Sequence, residues 1–254
     1  MISKKINHAK TTIDAILCKD DCEIWRSPET LARWWDLKNE ELLVVGKFYE
    51  TIPQSDLAKK FYEEIGPLRN FVKSYNNIAL KCGQELIAEC RPILGGQQYD
   101  AELKFALSNR VRLVEFTQAI DGWYESKIFE DFAINNEPRP MLTLDNVKKG
   151  KTIKNIENAF PVNLDVYEER NIGKIKECLK KKNSKDYSAD TIIVVIFDNK
   201  HWAALNECPL DKYRDYYKYR DYYNKEIFDS KDLKNKIYLL SRCGNYVVPE
   251  TTIL

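Results

Sequence analysis

Hydrophobic residues recur at helical spacing from residue 68 to residue 90. They occupy Leu68, Phe71, Val72, Tyr75, Ile78, Ala79, Cys82, Leu86 and Cys90. Apolar residues three and four positions apart form one face of an α-helix, which buries that face against a core. The pattern therefore predicts one long helix, separated from the preceding chain by a break at Gly66 and Pro67.

The chain before this break has the signals of shorter helices. Ser27, Pro28 and Glu29 combine an N-cap, a first-turn proline and an acid near the positive end of a helix. Another helix is predicted shortly before the break, because apolar residues recur there at every fourth position. We therefore predict an N-terminal helical region over residues 1–66 and an α/β domain over residues 67–254.

The hydrophobic period changes from 3.6 to 2 after the long helix. Apolar and polar residues alternate over residues 99–107 and again over residues 111–118, with a tight connection between them. This alternation predicts two antiparallel strands of a hairpin. In the second strand, Glu115 and Thr117 share one face because the strand period is two.

The second half of the chain predicts a helix, a buried strand and two late strands. The helix spans residues 166–182, and the strand spans residues 191–197 without any alternation, as is typical of a strand covered on both faces. Residues 237–240 and 246–248 predict the late strands, and residues 135–161 predict an insertion or loop. These elements predict a mixed central sheet flanked by helices.

Composition excludes several classes of protein. The 254 residues carry 40 Lys and Arg against 39 Asp and Glu, so the chain has no uniformly basic surface, although a local basic groove stays open. The longest purely apolar run, residues 192–197, is far shorter than the roughly 20 residues of a membrane-spanning helix. Seven scattered Cys without a CxxC pair indicate reduced thiols. We therefore expect a cytoplasmic protein without a membrane partner.

Lysines concentrate in the helix predicted at residues 166–182 and just beyond it. The candidates for contact with nucleic acid are Lys174, Lys180, Lys181 and Lys182. Such clusters hold phosphate backbones through counterion release and carry little sequence readout. A solvated helix face is the alternative interpretation.

The predicted elements follow one another as a long helix, a hairpin with two acids, a basic helix and a buried strand. This order resembles the PD-(D/E)XK nuclease superfamily. The segments that carry the resemblance are Tyr99–Lys104, with Asp100 at the start of one strand, and Val114–Ala119, with Glu115 inside the next. The resemblance implies a restriction-endonuclease-like fold and a metal-dependent endonuclease. Its substrate would be DNA phosphodiester bonds, and its context restriction, repair or defence.

Asp100 and Glu115 are the predicted ligands of Mg²⁺ or Mn²⁺. Mg²⁺ prefers hard oxygen ligands, and a bound ion polarises a phosphodiester and lowers the pKa of an attacking water. A carboxylate inside an apolar strand costs several kcal/mol unless a cation or hydrogen-bond donors compensate it. Alternatively, Glu115 forms a structural ion pair with Lys104 or Arg112, and Asp100 only caps a turn.

The resemblance also implies an acid on the preceding helix and a lysine two residues after the second acid. Glu85 and Glu89 are the candidates for the helix-borne metal ligand. Thr117 stands where the lysine is expected and is included among the catalytic candidates for that reason. Lys127 or Lys104 would then supply the positive charge.

Two further interpretations stay open. Thr117 in the lysine position fits a catalytically inactive nuclease fold that binds nucleic acid or a protein partner. Another acidic and basic cluster, Asp100 with Glu102 and Lys104, lies on one face of the predicted strand. The N-terminal helices are a candidate surface for a protein partner, and a homo-oligomer is compatible with the sequence.

Overall fold

Serine side chains cap two of the N-terminal helices. The structure is a computed structural model that describes residues 13–44, 55–119, 164–197, 235–241 and 247–249. Ser27 Oγ accepts a hydrogen bond from the Thr30 N–H, and Ser55 Oγ accepts one from the Ala58 N–H, both at 3.2 Å. The described helices are α1 (Lys19–Cys22), α2 (Pro28–Val44), α3 (Asp56–Lys60), α4 (Gly66–Cys82) and α5 (Leu164–Asn183). None of these described helices is long and apolar enough to cross a membrane.

A π-helical turn at Phe61–Ile65 joins α3 to α4 without interruption. The Gly66 N–H donates to the Phe61 carbonyl, five residues back, as in a π-turn. Pro67 follows directly and has no N–H to donate, and the π-turn just before it interrupts the regular hydrogen-bond ladder at this point. The chain break predicted at Gly66 and Pro67 is therefore wrong, and residue 66 lies inside one continuous helical segment.

Helix α4 ends at Cys82, eight residues earlier than the apolar spacing predicts. Gly83 follows in the left-handed conformation (φ 65°), which ends a helix at little steric cost. The chain then enters strand β1, where the Asn76 side chain exchanges two hydrogen bonds of 2.9 Å with the Ile87 backbone. Residues 87–90 therefore belong to a strand, and the prediction of a helix to Cys90 is wrong.

The strands form one mixed sheet whose spatial order follows the chain. Strands β1 to β3 are antiparallel neighbours, β3 to β5 are parallel, and β6 returns antiparallel to β5. The hairpin, the buried strand and the two late strands predicted from the sequence are confirmed. The strands are β1 (Ile87–Pro92), β2 (Ala101–Phe105), β3 (Val111–Ala119), β4 (Thr191–Phe197), β5 (Lys236–Ser241) and β6 (Val247–Pro249).

Helices cover both faces of the sheet. On one face, α4 and the N-terminal helices share a hydrophobic cluster with Val114 and Tyr238. On the other face, α5 buries its predicted stripe against β3 and β4, with Ile172, Ile175 and Leu179 all buried. Every residue of β4 is buried, which confirms a strand covered on both sides. The coarse prediction of a mixed sheet flanked by helices is therefore confirmed.

The segment between α1 and α2 pairs with the edge of the sheet. Arg26 and Cys90 exchange two backbone hydrogen bonds of 3.0 and 2.8 Å in an isolated antiparallel bridge. The Arg26 guanidinium is buried between Asp21 and the Trp34 ring. This pairing satisfies part of the β1 edge, which would otherwise present free backbone groups.

Candidate functional site

The β2–β3 hairpin brings Asp100 next to Glu115 through backbone hydrogen bonds. The Asp100 N–H donates to the Val114 carbonyl, and Asp100 Oδ2 accepts from the Phe116 N–H, both at 2.8 Å. Asp100 is therefore bound to the residues on each side of Glu115. The two predicted acids lie together at one end of the hairpin.

Burial raises the pKa of Asp100. The low-dielectric surroundings and then the Glu115 charge raise the pKa of the Asp100 carboxyl to about 6. The Phe116 N–H and the positive charges of Lys182 and Lys60 oppose this rise. Asp100 is therefore partly protonated near pH 6, as an isolated aspartate would not be.

Glu115 is buried on the α5 face of the sheet, with 8% of its surface exposed. Its Oε1 atom accepts hydrogen bonds from Lys182 Nζ and, at 3.3 Å, from the Tyr187 hydroxyl. No hydrogen bond from the described part of the chain reaches Oε2. Lys182 thus compensates the buried carboxylate.

The lysine beside Glu115 comes from α5 and not from the hairpin. Both residues are largely buried, and 14% of the Lys182 side chain is exposed to solvent. The ion pair predicted for Glu115 therefore exists with a different partner. Lys104 pairs instead with Glu89 at 2.9 Å, and the Arg112 guanidinium lies over the Phe105 ring.

Glu64 is a further acid beside Asp100, and the sequence analysis did not find it. Burial and then the Asp100 charge raise the pKa of Glu64 to about 7, against a nearby Lys60 Nζ at 3.4 Å. Glu64 lies in the π-helical turn Phe61–Ile65. The signal that could have found Glu64 is the family pattern of an acid on the helix before the hairpin. Hydrophobic periodicity could not, because it does not reveal a π-turn.

Glu85 and Glu89 do not lie on the long helix. Glu85 follows the end of α4, and its carboxylate accepts from the N–H groups of Leu107 and Ser108 at the turn after β2. This turn is separated from Asp100 by the length of β2, roughly 17 Å for five residues. Glu89 lies on β1, bonded to Lys104. The helix-borne positions predicted for both are therefore wrong.

Lys104 lies too far along the hairpin to serve Glu115. It pairs in register with Val111, four residues from Glu115, or about 13 Å along β3. Glu102, from the alternative cluster, is bonded to Arg91 at 2.8 Å. Thr117 is half-buried in β3, and Lys127 lies outside the described residues.

The basic helix divides into two groups of lysines. Lys180 and Lys181 are exposed, and Lys181 pairs with Glu177 on the previous turn at 2.6 Å. Lys174 is half-buried, whereas Lys182 turns inward to Glu115. Lys180 and Lys181 therefore lie on the surface predicted for nucleic acid, whereas Lys182 lies beside Glu115.

A metal ion at this site would have few protein ligands. Among the described residues, no group of three or more His, Cys, Asp or Glu side chains is arranged to hold one. The chemistry of the donors nevertheless suits Mg²⁺, which binds through one or two carboxylates and keeps several waters. Asp100 Oδ1 and Glu115 Oε2 are the carboxylate oxygens that accept no hydrogen bond from the described part of the chain.

We compared the chain with models of protein families, with curated proteins and with solved structures, and none of them matches it.

Proposed function

We propose that the protein is a metal-dependent nuclease of the PD-(D/E)XK type that hydrolyses DNA phosphodiester bonds. The observation that supports this best is the meeting of Asp100, Glu115 and Lys182 from three separate elements. Two carboxylates beside one ammonium group are the chemical parts that the superfamily resemblance implies. Lys182 takes the role of the lysine that Thr117 replaces.

Asp100 and Glu115 would hold Mg²⁺ or Mn²⁺ through their remaining oxygens. A bound ion of this kind polarises the phosphodiester and lowers the pKa of an attacking water. Lys182 Nζ, held in place by Glu115, would place a positive charge where the pentacoordinate phosphorus gains negative charge. Glu64, whose pKa is about 7, is suited to take up a proton at neutral pH.

One observation favours a second function, a catalytically inactive nuclease fold that binds nucleic acid. Lys182 is bonded directly to Glu115, and the described part of the chain holds no cluster of three or more metal-binding side chains. A lysine that permanently neutralises Glu115 would compete with a metal ion. Exposed lysines such as Lys180 and Lys181 would then carry the binding.

A cleavage assay separates the two functions. Plasmid, linear and single-stranded DNA, and RNA as a comparison, would be incubated with Mg²⁺ or Mn²⁺. We expect Glu115→Gln to reduce cleavage by more than about a hundredfold. Glu102→Gln is the matched control, because Glu102 lies on the same sheet face in an ion pair with Arg91, and it should retain activity within a few fold.

The same samples decide the alternative. Binding of DNA without cleavage by the folded wild-type protein would favour the inactive fold. Lys182→Met should abolish cleavage if Lys182 supplies the catalytic charge, whereas Lys81→Met, at an exposed lysine of α4, should not. Circular dichroism must show that each variant is folded.

A further inference from the structure

A polar cavity lies at the end of the hairpin away from Asp100, where β2 ends and β3 begins. Its volume is about 190 Å³. The lining residues are Tyr75, Glu85, Phe105, Ser108, Arg110, Arg112, Ile192, Lys236 and Tyr238. The cavity opens on the α4 face of the sheet, because Tyr75 and Tyr238 belong to the cluster on that face. It is therefore separate from Glu115, which faces α5.

Three of the residues that line this cavity are aromatic and pack against one another. Tyr75 contacts Phe105 and Tyr238 edge-on, with ring centroids 6.0 and 5.8 Å apart. The three rings come from α4, β2 and β5, so packing of the fold fixes their positions.

A cation lies over the Phe105 ring and another over the Tyr238 ring. The Arg112 guanidinium is 5.7 Å from the centroid of Phe105, and Lys236 Nζ is 5.5 Å from the centroid of Tyr238. Both side chains also line the cavity. The cation–π contacts therefore position two positive charges around one space.

The lining side chains carry three positive charges and one negative charge. The third cation, Arg110, pairs with Asp190 outside the cavity lining. The one acid, Glu85, is already bonded to the turn through the N–H groups of Leu107 and Ser108. Counted against Glu85 and Asp190, the three cations leave one net positive charge among these described side chains, which favours an anion.

We propose that this cavity binds a phosphate group of a small phosphorylated compound. Arginine binds phosphate oxygens through its planar fork, and lysine adds a point charge. A nucleic-acid strand lying across Glu115 would not reach the cavity, because the two sites are on opposite faces of the sheet. This inference is independent of the proposed nuclease function.

Calorimetric titration of the full chain with inorganic phosphate tests the proposal. We expect saturable binding that Arg112→Gln weakens about tenfold, or about 1.4 kcal/mol. Arg33→Gln is the matched control, because Arg33 is exposed on α2 and also loses one positive charge. Lys236→Gln provides a second variant if Arg112→Gln does not fold, and it should weaken binding similarly.

Several outcomes would overturn the proposal. These are the absence of phosphate binding, or an equal loss of affinity in Arg33→Gln and Arg112→Gln. A titration with an oligonucleotide that lacks terminal phosphates distinguishes the sources of phosphate. If Arg112→Gln weakens only the binding of the oligonucleotide, the cavity recognises a nucleic-acid backbone and the small-ligand proposal fails.

Discussion

Glu115 and Glu85 lie at opposite ends of the β2–β3 hairpin, and their surroundings differ in kind. Glu115 is buried and bonded to the side chains of Lys182 and Tyr187, which come from α5 and the segment after it. Glu85 accepts from the backbone N–H groups of Leu107 and Ser108 in a turn. One carboxylate depends on a distant helix, whereas the other completes a local turn.

The acids at the two ends of the hairpin also have pKa values shifted in opposite directions. Hydrogen bonds from Ser108 lower the pKa of Glu85, since they stabilise its charged form. At the other end, burial raises the pKa of Asp100 to about 6 and that of Glu64 to about 7. Acids whose pKa values are raised in the folded state cost stability at neutral pH, which is typical of functional sites. Glu85, in contrast, stabilises the turn after β2.

The largest predicted effect on stability is that of removing the Lys182 charge. Lys182→Met leaves the buried Glu115 carboxylate without its cation, and loss of one partner of a buried ion pair costs about 3 kcal/mol. We expect the free energy of unfolding in urea to fall by about this amount. Lys180→Met should change it little, because Lys180 is exposed.

A double substitution sharpens this prediction. Combining Lys182→Met with Glu115→Gln removes both charges, so the unfolding free energy should recover to within about 1 kcal/mol of the wild type. If the double variant is as unstable as Lys182→Met alone, the ion pair is not the source of the loss.

The next largest effect is a pH dependence of stability at the Asp100 end. A raised pKa in the folded state means that Asp100 and Glu64 stabilise the fold fully below their unfolded values, 3.8 and 4.5. This contribution is lost as the pH rises through about 6 and 7. The free energy of unfolding of Glu64→Gln, relative to that of the wild type, should therefore rise from pH 5 to pH 8. Urea unfolding at both pH values measures it.

Glu63→Gln provides the control for this slope. Glu63 is the exposed neighbour of Glu64 and pairs with Lys59 at 3.9 Å. Its substitution should leave the relative stability at the two pH values as in the wild type. An equal change in both variants would assign the effect to net charge and not to the site.

The Glu85 end should respond to pH in the opposite direction. Because the pKa of Glu85 lies below its ordinary value of 4.5, its contribution is present above that pH and is lost on acidification. Glu85→Gln should lower the melting temperature slightly at pH 7, and the difference from wild type should shrink as the pH falls below 4.5. A difference that persists in acid would show that the turn needs the carboxylate for another reason.

The smallest predicted effect is that of Tyr187→Phe. The substitution removes one 3.3 Å hydrogen bond to Glu115 Oε1, while Lys182 still bonds to the same atom. We expect a loss of less than about 1 kcal/mol in unfolding free energy. A loss as large as that of Lys182→Met would make Tyr187 an essential partner of Glu115.

Local patterns predicted the hairpin and the position of its two acids correctly. The period of two over β3 predicted that Glu115 and Thr117 share one face of the strand, because alternation is a local property of a strand. The helix spacing failed beyond Cys82, since Leu86 and Cys90 continue the period although Gly83 ends α4. The Gly66–Pro67 signal failed because a π-turn before it accommodates the proline.

The sequence by itself determined the strands β2 to β6, the two acids at Asp100 and Glu115, and the amphipathic stripe of α5, whereas it missed β1. Only the tertiary structure decided which cation meets Glu115, because Lys182 is 67 residues away in the chain. It also placed Glu64 beside Asp100 and moved Glu85 to the far turn. The physical reason is that hydrophobic periodicity assigns a residue to a face, whereas ion pairs depend on how separate faces pack together.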